Sequence, residues 1–85
     1  MADWWSWTAE QLVMIVSDPE VLEGRMRIRG TRIPVSVVLD CLAGGMTEDE
    51  IVQKYPPLTV AGVRAAAAYG AMLARDELVP LAGHE

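Results

Sequence analysis

The sequence predicts an α+β fold that is mainly helical: short N-terminal strands or a hairpin, followed by a three-helix, helix-turn-helix-like bundle. Three observations predict it. Residues 25–29, Arg-Met-Arg-Ile-Arg, alternate polar and apolar as a half-buried strand requires. From Pro34 the period changes, and Val35, Val38, Leu39 and Leu42 recur at i, i+3, i+4 and i+7 of a helix. Thr47 and Thr59 then each stand as N-cap residues before a run of good helix formers.

The chain of 85 residues reads as one domain, residues 1–85, with a Trp-rich extension over 1–11 and a C-terminal tail over 78–85. A domain this small buries only roughly 60–65% of the surface its unfolded chain exposes. With 52% hydrophobic residues, it carries more apolar surface than one small core hides, so a homodimer or a complex is expected.

Taken in order, LVMIV (12–16) could continue a helix opened by Thr8 and Gln11, which have capping-box spacing. Its β-branched content and the stop at Ser17-Asp18-Pro19 favour a short buried strand. One helical turn is expected after Pro19, ending near Gly24. The strand over 25–29 puts Met26 and Ile28 on the core side and Arg25, Arg27 and Arg29 outside. Gly30-Thr31 has the Gly-X form of a type II′ hairpin turn, which would set Ile28 opposite Ile33 and Arg29 opposite Arg32.

Pro34 suits the start of the next helix. Val37 and Cys41 add a second apolar stripe to it, and Gly44-Gly45 ends it. Thr47 and Glu50 form a capping box before a two-turn helix in which Ile51, Val52 and Tyr55 face inward, and Pro56-Pro57 stops it. The last helix, from Thr59, carries no charge between Ala65 and Ala74, a pattern that predicts burial on most sides.

Charge and composition exclude several function classes. Net charge is −5, which disfavours indiscriminate binding to nucleic acid or anionic membrane and suits a basic partner. No run of 18 apolar residues is present, Cys41 has no second cysteine to pair with, and MADWWSWTAEQ lacks the basic start of a secretory signal. A cytoplasmic location without membrane contact is expected.

No catalytic set can be assembled. The single histidine, His84, stands next to the C-terminus, so neither a Ser-His pair nor a His-containing metal site is expected, and Cys41 reads as a small buried hydrophobe. Glu48, Asp49 and Glu50 lack the spacing of a calcium loop and complement a helix N-terminus. No enzyme activity, cofactor or metal is expected.

Candidate contact residues remain. Four of the seven basic residues, Arg25, Arg27, Arg29 and Arg32, crowd into residues 25–32 of this acidic chain. Arg29 and Arg32, bracketing the turn, are assigned to internal bridges that fix the strand against the first helix, with Glu23, Asp40 and Asp49 as available carboxylates. Arg25 and Arg27 are assigned to contact with a partner or DNA. The helices TEDEIVQKY and TVAGVRAAAAY, joined by PPL, have helix-turn-helix form. The second offers base edges only Thr59 and Arg64, so the pair is expected mainly to build core and dimer interface, with Arg64 able to touch phosphates. Trp4, Trp5 and Trp7 either cap the core or anchor an interface.

The block Ile28-Arg29-Gly30-Thr31-Arg32-Ile33-Pro34-Val35, with Asp18-Pro19, Gly24, and Tyr55-Pro56 followed by Leu58-Thr59, resembles a small prokaryotic antitoxin-like family, domain of unknown function 433. The likeness runs from Asp18 to about Leu73, and Arg29, Gly30, Thr31, Arg32 and Pro34 are its structural motif. The chain departs from the family at Glu23, Arg25 and Met26, where a glycine, a lysine and a proline are common, and its Trp-rich start has no counterpart there.

The resemblance implies a VapB-type antitoxin with a helix-turn-helix-like fold, paired with a basic PIN-like ribonuclease toxin. The function expected is an antitoxin-like subunit of a type II toxin-antitoxin pair, neutralising the toxin by direct binding and able to repress its own promoter DNA. The alternative is a stand-alone dimeric helix-turn-helix DNA-binding regulator.

Overall fold

The structure, a computed structural model, describes residues 9–76. Four helices, α1 (Ala9–Leu12), α2 (Val35–Ala43), α3 (Glu48–Lys54) and α4 (Val60–Asp76), accompany two strands, β1 (Ile15–Val16) and β2 (Arg27–Ile28). The strands pair antiparallel, Ile15 with Ile28 and Val16 with Arg27, and the three longer helices follow them, the mainly helical α+β arrangement the sequence predicts.

The N-terminal third differs in detail. The apolar run 12–16 divides between the end of α1 and β1, because Met14 N–H donates to the Gln11 carbonyl and closes the helical turn before the strand begins. Thr8, half of the expected capping pair, lies outside the described residues. After β1 the chain turns at Asp18-Pro19. Asp18 Oδ1 accepts from Glu20 N–H and the Asp18 carbonyl accepts from Val21 N–H, a turn in which proline supplies the fixed φ of the second position.

The helical turn expected before Gly24 is a tight turn of the opposite hand. Leu22 (φ 53°), Glu23 (φ 56°) and Gly24 (φ 84°) all lie in the left-handed region, an arrangement that costs non-glycine residues about 1–2 kcal/mol each. Gly24 N–H to the Val21 carbonyl, Arg25 N–H to the Leu22 carbonyl and Ser17 Oγ to the Gly24 carbonyl hold it.

From Pro34 the sequence reading and the structure agree closely. Val35 and Val38 of α2 are buried, while Leu39, Cys41 and Leu42 are half-buried against the same core. Helix α3 starts on the predicted capping box: Thr47 Oγ1 accepts from Glu50 N–H at 3.1 Å, and Glu50 Oε1 accepts from Thr47 N–H at 2.8 Å. Thr59 Oγ1 accepts from Gly62 N–H, so α4 is capped where expected.

Helix α4 is the central element, packing against the other three helices and both strands. Its first half is buried through Gly62, Val63, Ala65, Ala66 and Ala68, closing the core with Ile28, Val38, Ile51 and Leu58. Burial on most sides was the expectation for the whole uncharged stretch, and the second half departs from it. From Ala67 onward, Ala67, Ala71, Leu73 and Ala74 are exposed, while Gly70 on the other side packs against Leu39 of α2.

Candidate functional site

The arginine-rich block folds around a turn one residue earlier than predicted. Thr31 N–H donates to the Ile28 carbonyl at 3.0 Å, so Arg29 and Gly30 are the central residues, and Gly30 at φ +83° fits the third position of a type II turn. A type II′ turn over Gly30-Thr31 would also have placed glycine at positive φ; the Thr31 side chain decides between them. Its hydroxyl donates to the Ile28 carbonyl at 2.8 Å and accepts from Ile33 N–H at 3.0 Å, which holds Thr31 at the end of the turn. Beyond it, Ile28 N–H meets the Ile33 carbonyl, as the expected opposition of these residues requires, and Arg27 bridges Pro34.

The four arginines do not share one face. Strand β2 spans only Arg27–Ile28, so two-residue alternation does not extend to Arg25 or Arg29. Arg25 is exposed beside an apolar groove formed by Met26, Leu39, Tyr69 and Leu73. Arg27, assigned to outside contact from the sequence, is half-buried, and its Nη1 donates to the Thr31 carbonyl at 3.0 Å, so it is held within the fold. Arg29 crosses to the Val13 carbonyl with Nε at 3.1 Å and Nη2 at 2.9 Å. It is internal as expected, but its acceptor is a backbone carbonyl and not a carboxylate. Arg32 makes no internal bridge. It is exposed, and no carboxylate pairs with it among the described residues.

Arg27 and Arg32 come together at an open cleft of about 610 Å³ between the turn and the end of α3. The remaining lining includes Gly30, Thr31, Ile33, Lys54, Tyr55 and Pro57. Sequence reasoning missed Lys54 in this cleft and gave Tyr55 a core role alone. The available signal was Lys54 standing directly before Tyr55-Pro56-Pro57, where the chain must turn and expose a cation beside an aromatic ring. Lys54 Nζ lies 5.7 Å from the Tyr55 ring centroid, within cation–π range.

Arg64, the remaining candidate basic contact, is already engaged. Its Nε and Nη2 grip Glu48 Oε2 and Oε1 at 2.7 and 3.1 Å, tying the first turn of α3 to α4. Hydrogen bonding from Arg64 holds the Glu48 carboxyl below its ordinary range despite the opposing effect of desolvation, and the guanidinium is raised in return. The outward side of α4 then reads Ala61, Arg64, Ala67, Ala71, Ala74, with its one charge paired. Trp4, Trp5 and Trp7 lie outside the described residues. Among the described residues, no group of three or more His, Cys, Asp or Glu is placed to hold a metal, and no helix is long and apolar enough to cross a membrane.

Residues 15–70 match the family model described as "Protein of unknown function (DUF433)". The chain belongs to the DUF433 family. A solved relative, the crystal structure of a DUF433 member protein from Anabaena variabilis, superposes with a TM-score of 0.63 at 36% sequence identity. The match covers 69% of this chain and 58% of that one, so the present chain accounts for little more than half of its DUF433 relative. No curated protein matches.

Proposed function

We propose that this DUF433 chain is the antitoxin-like subunit of a prokaryotic type II toxin-antitoxin pair. It works by stoichiometric binding of a basic, PIN-like ribonuclease toxin and performs no chemistry of its own. The observation that carries this reading is the α4 stretch from Ala67 to Ala74, where Ala67, Ala71 and Ala74 share an exposed face without charge. A helix face of this kind is stable in water only at a cost in exposed apolar surface, which association removes. The acid excess of twelve to seven adds long-range attraction for a protein that must itself be basic to hold RNA. A homodimer through the same face fits the surplus of apolar residues.

Sequence-specific DNA reading by α4 is the weaker alternative, because Arg64, the cation on its exposed outward side, is paired with Glu48. Autorepression would have to use phosphate contacts from Arg25, Arg27 or Arg32.

The test is to purify the product of the adjacent gene and assay it for ribonuclease activity with increasing amounts of this chain. Inhibition complete near one equivalent is the expected result. A neighbour that is no nuclease, or a nuclease indifferent to the chain, would remove the antitoxin reading. A mobility-shift titration on the upstream DNA, repeated at rising salt, separates promoter binding from toxin binding.

A further inference from the structure

The cleft beside the turn gathers Arg27, Arg32 and Lys54, three of the seven basic residues of a chain with net charge −5, and no carboxylate among the described residues lines it. An anion entering this cleft would meet all three cations at once, and no carboxylate among the described lining residues competes for them. Arg27 is also under-used. Its Nη1 binds the Thr31 carbonyl, but its Nε is buried with no acceptor among the described residues, and a buried donor left unpaired is costly. The walls are firm, since the Thr31 side chain bonds both Ile28 and Ile33 across the turn. Apart from Thr31 and Gly30 the rest of the lining is largely apolar, with Val21, Ile33, the Tyr55 ring and Pro57, and the volume of about 610 Å³ falls within the range of small-ligand sites.

We infer that this cleft is a binding site for a small phosphomonoester carrying a planar body, the chemical class of a nucleoside monophosphate. A phosphomonoester suits three cations better than a carboxylate does. It brings up to two negative charges and three acceptor oxygens, enough to engage two guanidinium forks and an ammonium together. Tyr55 and Pro57 line the space for the planar body, and Lys54 supplies a third cation to the phosphate. The site is independent of the α4 face proposed for protein binding, so either assignment stands or falls without the other.

The experiment is titration of the full chain, followed by amide NMR, with adenosine monophosphate, adenosine, and a dinucleoside monophosphate whose only phosphate is a diester. Adenosine monophosphate should shift Gly30, Thr31, Lys54 and Tyr55 saturably, and adenosine should not. The double variant Arg32→Ala/Lys54→Ala alters two exposed side chains and should weaken binding by about tenfold or more while the chain stays folded, its melting temperature lowered only by the lost cation–π contact with Tyr55. Arg27→Ala should weaken it also. Absence of shifts at millimolar ligand, equal binding of adenosine, or full affinity in the double variant would overturn the site. Equal or tighter binding of the diester would overturn the monoester assignment and make the cleft a reader of nucleic-acid backbone.

Discussion

Arg29 clasps the backbone carbonyl of Val13 with two guanidinium nitrogens, Nε at 3.1 Å and Nη2 at 2.9 Å. This joins the turn after β2 to the segment before β1, alongside the backbone bond from Arg29 N–H to the Met14 carbonyl at 2.7 Å. Truncation in Arg29→Ala should destabilise by about 0.5–1.5 kcal/mol, the worth of a partly exposed hydrogen bond to a charged donor. Arg32→Ala, which breaks no bond within the described residues, should stay within about 0.5 kcal/mol of wild type. Urea denaturation of the two variants in parallel checks the contrast, and equal losses would refute it.

Gly30 sits at φ +83° with open space where a Cβ would project, so the cost of a side chain there is conformational and not steric. Gly30→Val should lose about 1–3 kcal/mol, while Gly30→Asn, which tolerates the left-handed region, should lose distinctly less. Thermal melts that rank the two variants the other way round would show that the turn is not rigid.

On α4, neighbouring positions should separate folding from association. A Cβ at Gly70 would stand 3.2 and 3.3 Å from the Leu39 methyl carbons, whereas Ala67 is exposed. Gly70→Glu should therefore destabilise by about 1–3 kcal/mol through overpacking against α2. Ala67→Glu should leave stability within about 0.5 kcal/mol but weaken self-association or toxin binding about tenfold or more. Sedimentation equilibrium reads the second effect; an Ala67→Glu protein that associates normally would place this face in solvent.

The Glu48–Arg64 pair makes a pH-dependent contribution whose sign is fixed. The Glu48 carboxyl is lowered in the folded chain, chiefly by the hydrogen bonds from Arg64. Its stabilisation is thus present above the unfolded carboxyl value of about 4.3 and is lost as pH falls through the lower folded value. Arg64→Ala should raise the Glu48 titration midpoint toward that ordinary value and flatten the acid limb of the stability profile. An NMR titration of the Glu48 side chain measures this, and an unmoved midpoint would mean the pair is open in solution.

The elements legible in the sequence are those fixed by local chemistry. The Thr47–Glu50 capping box, the Val35–Val38 stripe and the Thr59 cap each depend on residues within one or two turns of one another, and each is found where its spacing puts it. The arginine block was read less well because its geometry depends on distant partners. Arg29 is directed by a carbonyl at position 13, and β2 is too short for the alternation of Arg25, Arg27 and Arg29 to hold. The left-handed turn at Leu22-Glu23 ran against propensity, since only Gly24 advertised it. Lys54 enters the cleft through the packing of α3 against the rest of the fold, which no local pattern encodes.

The brevity of the β1–β2 pairing also sets an order of events in folding. Two residue pairs joined across residues 17–26 cannot offset the entropy of closing that loop by themselves. Helices α3 and α4, capped by their own neighbours and separated only by residues 55–59, can dock first and offer Ile15 and Ile28 a surface to settle on. The strands are then expected to form after the rate-limiting step. Ile28→Val should quicken unfolding and leave refolding nearly unchanged, a pattern that stopped-flow measurements across urea would reveal. Refolding slowed in full proportion to the lost stability would instead place the sheet in the folding nucleus.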